Sequence, residues 1–175
     1  IMRRLIDQPE LKLWLDTDIE FGTPRANMTV GLLTQTGFLS ASNQAQAQLY
    51  QDLVNDSLSA TVYPAYLAGL GYSIAVADSG FAISVNGYQD KQMALLNTVT
   101  QRLFSADISA ERFATIKRSL IKDWRNSLKD KPYVQALGAL GDTLLSGSWP
   151  ANDLADALEP VTLDALMQWR NQQLK

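Results

Sequence analysis

At 175 residues, with 46% hydrophobic and 19% charged side chains, the chain has the make-up of one globular domain of ordinary size. Its formal charge of −3 argues against nucleic-acid binding, and its apolar runs fall far short of the roughly 20 residues a membrane helix needs. It has no cysteine and no histidine, which removes disulfides, thiol nucleophiles, the commonest metal ligand and the usual neutral-pH base. Any chemistry would rest on carboxylates, Lys, Tyr, Ser or Thr. Residues 1–10 include basic residues but lack an apolar core, so no signal peptide is expected within them.

In chain order, residues 11–18 (LKLWLDTD) alternate Leu11, Leu13 and Leu15 with Lys12, Trp14 and Asp16, which predicts a first strand. Phe21 to Pro24 breaks the pattern, and Asn27 to Thr36 reads as a second strand, with Gly31 marking a bulge or close contact. Ser42 or Asn43 is the expected N-cap of a helix through Ser57, striped by Leu49, Leu53 and Val54. Pro64 is expected in the first turn of a further short helix that Gly69 and Gly71 end. Residues 72–77 and 81–85 alternate around Asp78-Ser79-Gly80, a hairpin signal. One face carries Tyr72, Ile74 and Val76 with Phe81, Ile83 and Val85, and the small Ala and Ser residues opposite suggest close cover by helices.

The remainder reads as helical. Met93, Leu96, Val99 and Leu103 stripe one helix over 89–104, and Ser109 caps a long one through Phe113, Ile116, Leu120, Trp124 and Leu128. Pro132 opens a helix carrying Tyr133, Leu137, Leu140 and Leu144; a short helix over 152–158 and a final one over 162–174, capped by Thr162, follow. The order predicts one α+β domain over 1–175, mainly antiparallel, in which the 72–85 hairpin joins both N-terminal strands in one sheet and the helices pack on one face. Ile74, Val76, Ile83 and Val85 are its expected buried set.

Several blocks carry a more specific signal: KLWLDTD (Lys12 to Asp18), LYQDLVNDSL (Leu49 to Leu58), LAGLGYSIAV (Leu67 to Val76), VNGYQDKQ (Val85 to Gln92), SAERFATIK (Ser109 to Lys117) and ALEPVTLDAL (Ala157 to Leu166). In wording and order they resemble the third of four similar domains in the pitrilysin/insulinase family of zinc metallopeptidases. LAGLGY before a hairpin followed by NGYxDKQ is the distinctive part. The resemblance implies a metallopeptidase-like α+β fold ending before its last strand, and a non-catalytic middle domain that helps enclose peptides. The family's catalytic domain carries H-x-x-E-H on the helix ahead of its hairpin. Here that helix reads Leu49-Tyr50-Gln51-Asp52-Leu53-Val54-Asn55-Asp56, so no catalytic or metal-ligating residue carries over. By the same resemblance, zinc belongs to another domain of the parent, and the partners are that parent's other domains and its peptide substrates. It also implies a periplasmic location, as in Gram-negative family members, with the cytoplasm as the alternative. A second reading is an inactive scaffold subunit of the same fold.

Three polar groupings stand out. Asp52 and Asp56, one helical turn apart, could share a cation but read better as solvated carboxylates. Arg118, Lys122, Arg125 and Lys129 form a basic stripe opposite Leu120 and Trp124. The first three are candidate contacts to substrate or to another domain, against the plainer reading of a solvated helix face. Tyr63, Tyr66, Tyr72 and Tyr88 could wall a peptide site, but packing with hydroxyls reaching water is the favoured reading.

Overall fold

A computed structural model describes residues 2–17, 22–34, 37–127 and 149–174. The helix expected from Pro132, the Leu128 contact, the end of the second strand at 35–36 and Lys129 lie outside them. The elements are β1 (Arg3–Asp7), β2 (Lys12–Leu15), β3 (Arg25–Leu33), α1 (Ala41–Leu67), β4 (Gly71–Ala77), β5 (Gly80–Tyr88), α2 (Gln92–Ser105), α3 (Ala110–Ser127), α4 (Ala151–Leu158) and α5 (Leu163–Gln173).

The strands do not form one sheet as expected. β1 and β2 make a separate two-stranded hairpin, while β3, β5 and β4 form an antiparallel sheet in that order. β5 lies central because both neighbours pair along its length, with Ile83 opposite Val30 on one side and Ile74 on the other. β1 gave no sequence signal. Its Arg3 and Arg4 and the register break before Ile6 hide the alternation.

Burial on the inward face follows the pairing. Ile83 and Val85 are fully buried, Ile74 nearly so, and Val76 only half, because β4 is an edge. α1 lays Leu49, Tyr50, Leu53, Val54 and Leu58 across that face. Four rings lock the centre: Phe38 meets Phe81 edge-on at 5.0 Å and Trp169 at 5.5 Å, and Tyr50 reaches both. Their polar tips are satisfied, since the Tyr50 hydroxyl donates to the Leu103 carbonyl at 2.6 Å and Trp169 Nε1 donates to Asn43 Oδ1 at 3.1 Å. Close cover of the opposite face is not found among the described residues. Ser73, Ala75, Asn27 and Thr29 are exposed there, and Thr29 and Ser84 join hydroxyls at 3.0 Å instead.

The helices depart from the periodicity at identifiable points. α1 is capped by Ser40, ahead of the expected Ser42 or Asn43, and the Ser40 side chain accepts from the Asn43 N–H. It then runs unbroken through Pro64 rather than restarting there. Pro64 removes one N–H and crowds the carbonyl one turn back, but Ser59, Ala60 and Thr61 are exposed, so water can serve the freed group. In α2 it is Gln92, Leu95, Leu96, Val99 and Leu103 that are buried, while Met93 points outward. α3 is capped by Ser109 as expected, with Phe113 buried but Ile116, Leu120 and Trp124 only half-buried against α1 and α4. Thr162 caps α5 as expected.

Candidate functional site

The two distinctive blocks, Leu67–Tyr72 and Asn86–Gln92, meet at the corner where α1 ends, and their side chains serve backbone geometry. α1 closes with paired reversed bonds: the Gly69 N–H donates to the Tyr66 carbonyl and the Leu70 N–H to the Ala65 carbonyl, both at 3.0 Å. That arrangement needs a left-handed residue, and Gly69 supplies it at φ 77°. The Tyr88 ring covers Gly69 so closely that a Cβ there would lie 3.3 Å from Cε2. Gly87, at φ 121°, lies against the Gly69 carbonyl oxygen and the Leu70 Cα, leaving no space for any side chain. Gly71 pairs with Asn86 in the β4–β5 ladder, and a Cβ on Gly71 would meet the Asn86 amide at 2.8 Å.

Gln92 completes the corner. It is 1% exposed, and its Nε2 donates to the Gly87 carbonyl at 2.7 Å and the Ala26 carbonyl at 2.6 Å. Residues 26 and 87 are register partners across β3 and β5, so one amide ties the start of α2 to the sheet. Arg25 stacks its guanidinium 5.2 Å from the centre of the Tyr88 ring. The wording LAGLGY and NGYQDKQ thus describes an interlocked turn in which the tyrosine covers, the glycines make room and the glutamine clamps.

The four tyrosines separate accordingly. Tyr72 is half-buried and donates to Asn55 Oδ1 at 3.2 Å, and Tyr88 belongs to the corner. Tyr63 and Tyr66 stand out from α1 at 59% and 71% exposure, so packing does not describe them.

The paired carboxylates on α1 are not equivalent, and the reading of two solvated groups fails. Asp56 accepts Nε and Nη2 of Arg112, an ion pair that holds its carboxyl below the usual range. Asp52 is half-buried, and burial followed by the nearby Asp123 charge raises its carboxyl. Opposite pH responses follow. The Asp56 pair stabilises the fold above the unfolded carboxylate value of about 4 and is lost as pH falls through its depressed folded value. Asp52 favours the fold when protonated, and that contribution disappears as pH rises through its raised folded value. In urea unfolding at about pH 7, Asp52→Asn should raise the midpoint and Asp56→Asn should lower it, and both differences should shrink well below the carboxylate range of about 4.

The basic stripe divides as well. Arg118 and Lys122 are exposed, whereas Arg125 turns toward α4, donating to Asn152 Oδ1 at 3.0 Å and pairing with Asp156, with Glu159 Oε2 at 3.8 Å. Lys117, which periodicity did not single out, donates its Nζ to the Glu159 and Val161 carbonyls, each at 2.7 Å. It thereby caps α4 and fixes the turn into α5, and burial lowers its ammonium. Among the described residues no three Asp, Glu, His or Cys side chains converge to hold a metal ion. With no histidine or cysteine anywhere in the chain, the groups present do not fit a zinc site.

The fold is therefore that of a segregated α+β domain, with helices on an antiparallel sheet and its distinctive residues spent on one corner. The family model for the middle or third domain of peptidase_M16 matches residues 3–157, and the chain belongs to that family. It is 31% identical over 155 residues to insulin-degrading enzyme of Homo sapiens, spanning 89% of this chain and 15% of that protein. The insulin-degrading enzyme of Drosophila melanogaster is 28% identical over 165 residues, which is 94% of this chain and 17% of that protein. The crystal structure of pitrilysin superposes with a TM-score of 0.88 at 18% identity, covering 98% of this chain and 18% of that one. The chain thus spans about one sixth of the relatives it matches.

Proposed function

We propose that this segment is a non-catalytic, substrate-enclosing domain of a zinc-dependent endopeptidase that degrades peptides, with the zinc site in another domain of the parent polypeptide. One observation carries the reading: a chain of the peptidase family's middle-domain type is devoid of both histidine and cysteine. Peptidase zinc sites draw on histidine with a carboxylate, and an open position that activates water. Such a site has to be supplied from elsewhere. Named relatives such as insulin-degrading enzyme favour a peptidase parent over an inactive scaffold of the same fold. The periplasm is the location we assign to the parent, to be checked by fractionation.

The domain's contribution is then confinement and positioning, which can be large without direct chemistry. Arg118 and Lys122 are the cations we place at a contact with substrate or a neighbouring domain; Arg125 can join them only through the end of its α4 ion pairs. The test uses the full-length parent, assayed for metal content and for cleavage of a quenched fluorescent peptide. Bound zinc and chelator-sensitive cleavage support the peptidase reading, and a parent with neither overturns it. Arg118→Glu with Lys122→Glu should keep the zinc and alter cleavage in a way that fades as salt rises. Unchanged kinetics at low salt would leave the stripe a solvated face.

A further inference from the structure

β1 and β2 pack on each other, and none of their side chains joins the core cluster. An isolated two-stranded hairpin is marginal in water. This one nonetheless presents Met2, Leu5, Leu11, Leu13, Trp14 and Leu15 at 43% to 65% exposure. Its register sorts them. Arg3 opposes Leu15 and Ile6 opposes Leu13, so Ile6, Leu13, Leu15 and Arg3 share one face, while a bulge at Leu5 restores the alternation. The other face carries Trp14 with Arg4, Asp7 and Lys12, closed by an Arg4–Asp7 ion pair at 3.0 Å.

We propose that the β1–β2 hairpin is a docking arm whose Ile6, Leu13 and Leu15 face, rimmed by Arg3, seats on an apolar surface of a neighbouring domain of the same parent polypeptide. The inference rests on the reading of the segment as one domain of a larger peptidase. Two observations select that occupant. The matched relatives are about six times longer than this chain, and a middle domain has neighbours on its own polypeptide. The face also carries a cation and no anion, so a second copy would set Arg3 patch against Arg3 patch, whereas a partner with a carboxylate beside its apolar surface complements it. The arm gains from its neighbour a second layer that the core cluster of the described residues does not provide.

The experiment is maleimide labelling of the full-length parent carrying Leu13→Cys, Leu15→Cys or Lys12→Cys one at a time, with the labelled peptide identified by mass spectrometry. Each rate is referred to that of the same cysteine in unfolded protein. Docking predicts that the two leucine positions label at least about tenfold more slowly, which requires a docked state about 90% populated or more. Lys12→Cys, on the opposite face, should label close to its unfolded rate. Equal rates at all three positions would overturn the proposal, as would protection that grows with protein concentration, the mark of a second copy. Hydrogen exchange on the unmodified parent covers the case in which a variant does not fold: amides 12–15 should be protected, and rapid exchange there would equally overturn it. Zinc content and cleavage are measured on the same preparations. Slow labelling in a parent without zinc leaves the arm standing and removes the peptidase reading, and fast labelling in an active zinc enzyme does the reverse.

Discussion

Replacing Gln92 by glutamate should lower the stability of this domain by more than about 3 kcal/mol at neutral pH, read as a drop in the urea midpoint. The native amide donates to two carbonyls at 2.6 and 2.7 Å from a site that is 1% exposed. A carboxylate offers only acceptors to those acceptors and has to lose its water to enter. Its folded-state pKa would therefore be raised. Sign follows directly: the protonated acid can donate one bond, so the deficit is smallest below the unfolded value of about 4 and grows as pH rises through the raised folded value. Gln92→Leu removes both bonds without adding charge and should cost about 2 kcal/mol at every pH. A pH-independent deficit for Gln92→Glu would show that the carboxylate escapes to water and that the clamp is loose.

Gly87→Ala is the second substitution with a large expected effect, a loss of about 3 kcal/mol or more. Two costs add there. The backbone is at φ 121°, where side-chain-bearing residues are strained, and the new methyl would overlap the Gly69 carbonyl oxygen, which is backbone and cannot swing aside. Relief would have to come from opening the end of α1 or the β4–β5 ladder. Gly31→Ala is the matched control, because Gly31 has nothing within 4 Å of its added methyl. It should be neutral or stabilising by about 0.5 kcal/mol, since it only removes unfolded-state freedom in an exposed strand position. Equal effects at the two glycines would mean that the corner yields easily.

Periodicity was legible where burial wrote it. The 72–85 hairpin, the caps at Ser109 and Thr162 and the stripe of α1 are consequences of an apolar face meeting a core or of a side chain answering a free N–H, and both leave marks in a single sequence. β1 left none, because Arg3 and Arg4 and the register break before Ile6 interrupt its alternation. Pro64 misled for a different reason. Its penalty depends on whether the freed carbonyl can reach water, which depends on which way α1 faces. Met93 and Leu95 exchanged places since a stripe read from Leu96, Val99 and Leu103 fits either neighbour. Arg125 looked equivalent to Arg118 and Lys122 on a helical wheel, and only the approach of α4 with Asn152 and Asp156 sets it apart. The wording of LAGLGY and NGYQDKQ marked the family before it explained itself. Its explanation is a contact between segments some twenty residues apart, which spacing alone does not show.

That corner bears on the central proposal, that the most distinctive residues of this chain build backbone geometry and that the catalytic metal is held elsewhere in the parent. Isothermal calorimetry of the 175-residue chain with zinc, paired with a quenched-peptide assay on the same sample, tests it most directly. The account predicts weak, non-saturating heats and no cleavage, because the chain offers carboxylates without histidine or cysteine and no three of them converge among the described residues, whereas a zinc site needs about four converging donors. Saturable binding of about one zinc per chain, with cleavage that a chelator abolishes and zinc restores, would contradict it.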